Sequence, residues 1–94
     1  MKHGDKIRAE ILECGAKLWP NATVTAIADS MGMTYSAVRY HFGSPEALRD
    51  AIADYAVKTA NHRIIVHLLS ECHPAVRQLT VEERVASLKA AINL

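Results

Sequence analysis

The feature that most constrains this chain is Gly32, a glycine between two short amphipathic segments in residues 23–42. Glycine adopts the left-handed conformation that ends a helix without a steric cost. Residues 26–31 supply small and apolar positions for a helix before the glycine. After it, the Thr34 hydroxyl is placed to cap a second helix in which Val38 faces inward. This spacing predicts a helix-turn-helix.

The second of these helices carries hydrogen-bonding side chains on its outward face, where the core does not need them. They are Tyr35, Ser36, Arg39 and Tyr40. Arginine pairs with guanine or phosphate, and Tyr and Ser hydroxyls suit phosphate oxygens. Because the second helix of this motif enters the DNA major groove, we predict that these side chains contact double-stranded DNA. The alternative is a helical corner that binds no DNA.

Residues 27–52, IADSMGMTYSAVRYHFGSPEALRDAI, resemble the DNA-binding domain of the TetR family of transcriptional regulators. The most specific part is YHFGSPEAL, an aromatic pair and Phe followed by a Gly-Ser turn and a helix that begins with an acidic residue and Leu. Upstream, ILECGAKLW resembles the first helix of that domain, so the similarity covers residues 7–57. It implies a DNA-binding regulator that dimerises through helices placed after this domain.

The sequence departs from the family pattern at three places. Pro45 stands where the family usually has a phosphate-contacting lysine, and Arg39 stands where it usually has a tyrosine. The link between Trp19 and Ile27 is also shorter than the family norm. Typical members continue into a large effector-binding domain, so from this short chain we expect a minimal repressor without a small-molecule effector.

We expect Thr34 to anchor a DNA phosphate beside the second helix. Lys17 or Ser44 is the candidate for a further phosphate anchor. Electrostatics gives this expectation little help, because 11 Lys and Arg stand against 10 Asp and Glu, a net charge of +1. Much of non-specific DNA affinity comes from phosphate neutralisation. A binder of this composition needs its cations on one face or a dimer that doubles them.

The helical patterns along the chain, together with the resemblance to the TetR family, predict an all-α protein of about five helices. With 94 residues, half of them hydrophobic, we expect a helix-turn-helix domain over residues 1–57 and a helical dimerisation segment over residues 58–94, packed as one continuous domain. No secretory signal and no apolar run of ~20 residues is present, which favours a cytoplasmic protein. Cys14 and Cys72 are far apart and read as thiols in a reducing compartment.

Helix boundaries follow from capping signals. Asp5 is the expected N-cap of a first helix over residues 5–18, which Pro20 ends, with Trp19 as a core anchor. Ser44 and Pro45 start a helix that we expect to run unbroken as far as Ser70. Apolar and small positions step along it by four and three: Leu48, Ile52, Tyr55, Thr59, His62, Val66 and Leu69.

Thr80 and Glu83 form a capping box that opens a last helix, predicted to reach Asn93. Its apolar stripe either packs on the preceding helix within one chain or forms a homodimer interface, and we favour the dimer. A two-fold dimer would place two recognition helices about one DNA turn (~34 Å) apart. The residues assigned to the interface are Ile65, Val66, Leu69, Val81, Val85, Leu88 and Ile92.

Metal and enzyme chemistry find no support in the sequence. His62 and His67 are five residues apart, which points them in different directions on a helix, and Cys72-His73 has no matching pair elsewhere. No phosphate loop, acid–base pair or nucleophile elbow is present, so we expect no metal, cofactor or catalytic residue. Two other classes stay open: a helix-turn-helix that marks DNA for replication, partition or packaging, and a protein-interaction module that has lost DNA binding.

Overall fold

The computed structural model describes residues 3–92, and within that range the protein is all-α, as the sequence predicts. Six α-helices and one 3-10 helix account for its regular structure, one more α-helix than expected. They are α1 (His3–Leu18), α2 (Val24–Met31), α3 (Tyr35–Phe42), α4 (Pro45–Lys58), α5 (His62–Ser70), the 3-10 helix (Pro74–Gln78) and α6 (Val81–Ile92).

The chain forms two compact units, Met1–Ile52 and Ala53–Leu94, so the change from one to the other falls inside α4. In the first unit α1, α2 and α3 contact one another pairwise. Their contacts, with the first half of α4, enclose an apolar core. Its large buried members include Ile11, Trp19, Ile27, Val38, Leu48 and Ile52.

The start of α1 differs from the prediction. The helix begins at His3, so Asp5 lies in its first turn and is not the N-cap. A carboxylate in the first turn still stabilises the helix through the partial positive charge at that end. At the other end the predictions are confirmed: α1 ends at Leu18, and Trp19 is a core residue at 4% exposure.

Gly15 of α1 lies close to Ile52 of α4 and to Ile27 of α2 within the first unit. A Cβ atom at this position would lie 2.3 Å from Ile52 Cδ1, 2.8 Å from Ile52 Cγ1 and 3.3 Å from Ile27 Cδ1. Ile27 and Ile52 are both fully buried. The missing side chain of Gly15 therefore leaves the space that these two core residues fill.

The unbroken helix predicted from Ser44 to Ser70 is wrong. The structure has two helices, and α4 ends at Lys58. Ala60 has φ +53°, outside the helical region, and the Asn61 side chain then caps α5 by accepting a hydrogen bond from Ile64 N at 3.3 Å. Thr59 Oγ1 donates to the carbonyl of Tyr55 at 2.8 Å at this break. The Asn61 side chain thus pairs a backbone N–H that a longer helix would satisfy, while the Thr59 hydroxyl shares the Tyr55 carbonyl with Thr59 N.

The break also shifts which residues of α5 face the core. Ile64, Ile65 and Leu68 are buried, whereas Val66 and Leu69 are half-buried. The assignment of Ile65 to a dimer interface is therefore wrong, because its side chain is only 2% exposed and already covered by its own chain. The 3-10 helix, which the sequence did not predict, adds Ala75 and Val76 to the buried set.

The capping box that opens α6 is confirmed. Thr80 N donates to Glu83 Oε1 at 2.9 Å, and Glu83 N donates to Thr80 Oγ1 at 3.1 Å. The helix ends at Ile92 in the part of the chain that the structure describes, and the predicted end at Asn93 lies outside it. Helices α5 and α6 pack against each other.

Gly15→Val should lower the free energy of unfolding by about 2 kcal/mol, because overpacking forces the buried Ile52 side chain out of place. Urea denaturation of the full chain measures this. Gly4→Val is the matched control, since a Cβ atom added at Gly4 would have nothing within 4 Å and the same substitution there should change stability little. Equal effects of the two substitutions would contradict the close approach at Gly15.

Candidate nucleic-acid interface

Local hydrogen bonds fix the helix-turn-helix. Thr23 Oγ1 caps α2 by accepting from Ala26 N, and Thr34 Oγ1 caps α3 by accepting from Ala37 N, each at 3.1 Å. Between the two helices Gly32 is left-handed, with φ 65° and ψ 31°, and Met33 N donates to the carbonyl of Ala28 at 2.9 Å. The predicted glycine turn and the predicted Thr34 cap are therefore confirmed.

Helix α3 separates a core face from an outward face as the sequence predicts. Val38 and Phe42 are buried. On the other side Tyr35 is 45% exposed and Tyr40 is 85% exposed, and Ser36 and Arg39 are exposed as well. Four hydrogen-bonding side chains thus share the accessible surface of a short capped helix.

Arg39 is tethered by only one of its nitrogens. Its Nε donates to the carbonyl of Gly43 at 3.3 Å, which satisfies an acceptor just past the end of α3. Its terminal nitrogens make no other hydrogen bond within residues 3–92. The guanidinium therefore retains the paired donors that bind guanine or phosphate.

Of the three candidate phosphate anchors, the structure places two beside α3 and the third away from it. Thr34 and Ser44 lie at the two ends of α3, and each uses its hydroxyl oxygen as a cap, with Ser44 Oγ accepting from Ala47 N at 3.1 Å. Since a capping hydroxyl accepts, its proton stays available for a phosphate oxygen. Lys17 is not brought to this surface: it pairs with Glu13 at 3.5 Å and lines a groove with Ser30, Met31 and acidic residues that contains no α3 side chain.

A second groove beside α3 was not predicted. Tyr35 lines it together with Thr23 and Thr25 at the start of α2, Pro45 at the start of α4, and Arg49. The first residues of α2 and α4 line this groove, and the partial positive charge at a helix N-terminus favours an anion. The signal in the sequence is the run Thr23-Val24-Thr25, which places two hydroxyls around a helix start.

Arg49 is fixed at the edge of this groove by two contacts. Its guanidinium carbon lies 4.1 Å from the centre of the Trp19 ring, and its Nη1 donates to the carbonyl of Pro20 at 3.1 Å. A comparable pair orders Arg8, which lies over the Phe42 ring and donates to the carbonyl of His41. Stacking of this kind needs the planar guanidinium.

Most cations of the first unit already have partners. Among the lysines and arginines of residues 3–52, Arg8, Arg39 and Arg49 bind backbone carbonyls, and Lys17 pairs with a carboxylate. Binding to a backbone carbonyl leaves the positive charge of an arginine in place but restricts the positions that its guanidinium group can reach. Electrostatic attraction by this surface is therefore modest, as the net charge of +1 already indicated.

A metal centre and a membrane-spanning helix are two other features that bear on function. In residues 3–92, no three His, Cys, Asp or Glu side chains come together in a way that could hold a metal ion. None of the helices in that range combines the length and the apolar character that crossing a membrane requires.

Comparison with known proteins finds no relative of this chain. No protein-family model, no curated protein and no solved structure matches the chain.

Thr34→Ala should lower the free energy of unfolding by about 1 kcal/mol, because it removes the acceptor for Ala37 N at the start of α3. Thr34→Ser keeps that acceptor and should stay close to the original protein. Urea denaturation followed by circular dichroism compares the three proteins. If the alanine and serine variants were equally stable, the hydroxyl would not act as the cap.

Proposed function

We propose that the protein binds double-stranded DNA through the outward face of α3, and that it acts as a sequence-specific transcriptional regulator. The observation that carries this proposal is the exposure of Tyr35, Ser36, Arg39 and Tyr40 together on a capped, rigid helix. Tyr40 is the most telling of them, since a tyrosine at 85% exposure contributes almost nothing to the core of its own chain.

The chemistry of α3 suits the major groove. An α-helix fits that groove, and its side chains then meet the base edges. Arg39 would offer paired donors to guanine, while the Tyr40 ring has an apolar face for a thymine methyl group and a hydroxyl for a phosphate or base. Ser36 and Tyr35 add short and long hydroxyl donors on the same side.

Backbone groups would supply much of the phosphate binding. The groove around Tyr35 combines the N-termini of α2 and α4 with the hydroxyl of Thr25 and the guanidinium of Arg49. Helix N-termini bind phosphate through N–H groups and a partial positive charge, so they need no lysine. This arrangement compensates for Pro45, which replaces the lysine expected from the TetR resemblance.

The TetR-like sequence of residues 27–52 also suggests the biological role. A regulator of that kind occupies an operator and thereby blocks transcription, and we assign this chain the same repressor activity. We expect the site to read bases more than it attracts phosphates, because backbone carbonyls hold Arg8 and Arg49, whereas Arg39 is bound only through Nε. A protein of this kind depends on sequence matching for its affinity.

Selection of bound duplexes from random DNA at moderate salt tests the proposal. The original protein should enrich a defined sequence, and Arg39→Ala should lose that enrichment with its helix content unchanged. One good arginine–guanine contact contributes roughly 1–3 kcal/mol of discrimination. Arg77→Ala is the matched control, because it removes the same charge from an exposed position in the 3-10 helix of the other unit.

Retained selectivity in Arg39→Ala would reject the assigned contact. Absence of any enrichment by the folded original protein would reject DNA reading altogether and favour a protein-interaction module. Enrichment only of long repeated sites would favour a role in marking DNA for a larger assembly.

Binding to the selected duplex should depend only weakly on salt. Since few cations are able to reach phosphates, we expect log K to fall against log[salt] with a slope of about −1 to −2 per bound chain. Fluorescence anisotropy between low and moderate salt measures the slope. A much steeper slope would mean that phosphate neutralisation dominates and that the modest charge of the surface has been misjudged.

A further inference from the structure

Helix α6 packs within its unit through a polar and small-residue face. Ser87 is 1% exposed and its Oγ lies 2.9 Å from His62 Nδ1 of α5. Arg84 is half-buried on the same side and donates through Nη2 to the carbonyl of Val76 at 3.1 Å. The inward face of α6 is therefore organised by hydrogen bonds.

The apolar stripe of α6 stays exposed, which is contrary to the alternative that it packs on the preceding helix. Val81 is 74% exposed, Val85 42%, Leu88 45% and Ile92 81%. These four are large aliphatic side chains in a row along one helix. A stripe of this kind is typical of a surface that another helix covers.

The spacing of the stripe is that of a two-helix seam. Steps of four, three and four place Val85 and Ile92 at the a positions of a heptad and Val81 and Leu88 at the d positions. The inward residues Arg84 and Ser87 then fall at g and c. One flank of the seam is thus occupied by contacts inside the chain, and only the e flank, with Glu82 and Lys89, is open to a partner.

We propose that α6 is a self-association surface at which two copies of this chain pair antiparallel. Antiparallel pairing brings e positions against e positions. In this register Val85 packs against the partner's Leu88, and Val81 packs against the partner's Ile92. Glu82 and the partner's Lys89 then lie two residue steps apart along the helix axis, an offset of ~3 Å. Two-fold symmetry repeats this ion pair, so the single open flank carries two attractive pairs.

Charge disfavours the parallel alternative. In a parallel pair the g position of one helix faces the e position of the other, which sets Arg84 against the partner's Lys89 twice. That arrangement puts like charges together and leaves Glu82 unmatched. The same four seam residues would be buried either way, so the charges decide the direction. A second copy is the partner because the open flank is complementary to itself.

The seam is short, and this sets the strength of the dimer. Twelve residues of helix span ~18 Å, well below what a standard interface of about 800 Å² per partner requires. The dimer is therefore weak and dependent on concentration. This inference rests on α6 alone and does not depend on the proposed DNA binding.

Sedimentation equilibrium of the full chain tests the surface itself. The original protein should show a reversible monomer–dimer equilibrium, and Leu88→Ser should weaken it at least tenfold. Ala86→Ser is the matched control, since it makes a similar loss of helix propensity at an exposed position outside the a/d seam. A monomeric original protein up to millimolar concentration, or equal effects of the two substitutions, would overturn the proposal.

Charge exchange tests the direction of pairing. Lys89→Glu should weaken the dimer about tenfold, because it replaces two attractive pairs by two repulsive ones. Glu82→Lys should do the same, and the double exchange Glu82→Lys with Lys89→Glu should restore the original affinity. Lys58→Glu, which changes the charge equally in the last turn of α4, should leave it unchanged.

The opposite result for Lys89→Glu would overturn the antiparallel register. In a parallel dimer that substitution would relieve the repulsion from Arg84 and tighten the association. Failure of the double exchange to restore the affinity would equally reject the assigned ion pair. Circular dichroism of every variant shows whether α6 is intact, and all four stripe residues lie outside the chain's own core, so folding is expected to survive.

Discussion

The left-handed turn at Gly32 is the constraint on which the candidate site depends. It ends α2 and lets Met33 N reach back to the carbonyl of Ala28, so that α3 leaves the turn in one direction. Thr23 and Thr34 then close the two helix starts. Since each of these contacts is local, a stretch of about twenty residues sets the position of α3, and the buried Val38 holds it against the core. The exposed face of α3 is a consequence of this geometry.

The outward face of α3 and the groove beside Tyr35 are rich in hydrogen-bonding groups but have few positively charged side chains that can move. Arg8 and Arg49 each stack on an aromatic ring and bind a backbone carbonyl, so their guanidinium groups serve the fold first. Helix N-termini around the groove beside Tyr35 replace part of the missing charge without any added lysine. Under the proposed function, this division of roles would let a chain with a net charge of +1 bind DNA.

Local signals in the sequence predicted the capped helices of the first unit, but they did not predict structural features that depend on tertiary contacts. Caps and the glycine turn predicted α2, α3 and the outward face of α3, because those features involve neighbours in the chain. The break at Ala60 was missed because alanine is a strong helix former and its positive φ has no signature in the sequence. The inward face of α6 was missed because nothing in the sequence marks Ser87 as a buried residue that pairs with His62.

Mapping of amide chemical shifts on adding short duplex DNA to the full chain tests the central claim most directly. If α3 enters the groove, the largest changes should fall on Tyr35, Ser36, Arg39 and Tyr40, with a second group at Thr23 and Thr25 beside the groove. The amides of α6 should move little at a concentration where its association does not change. Absence of shifts on α3, or shifts confined to the second unit, would contradict the account and move the search to a protein partner.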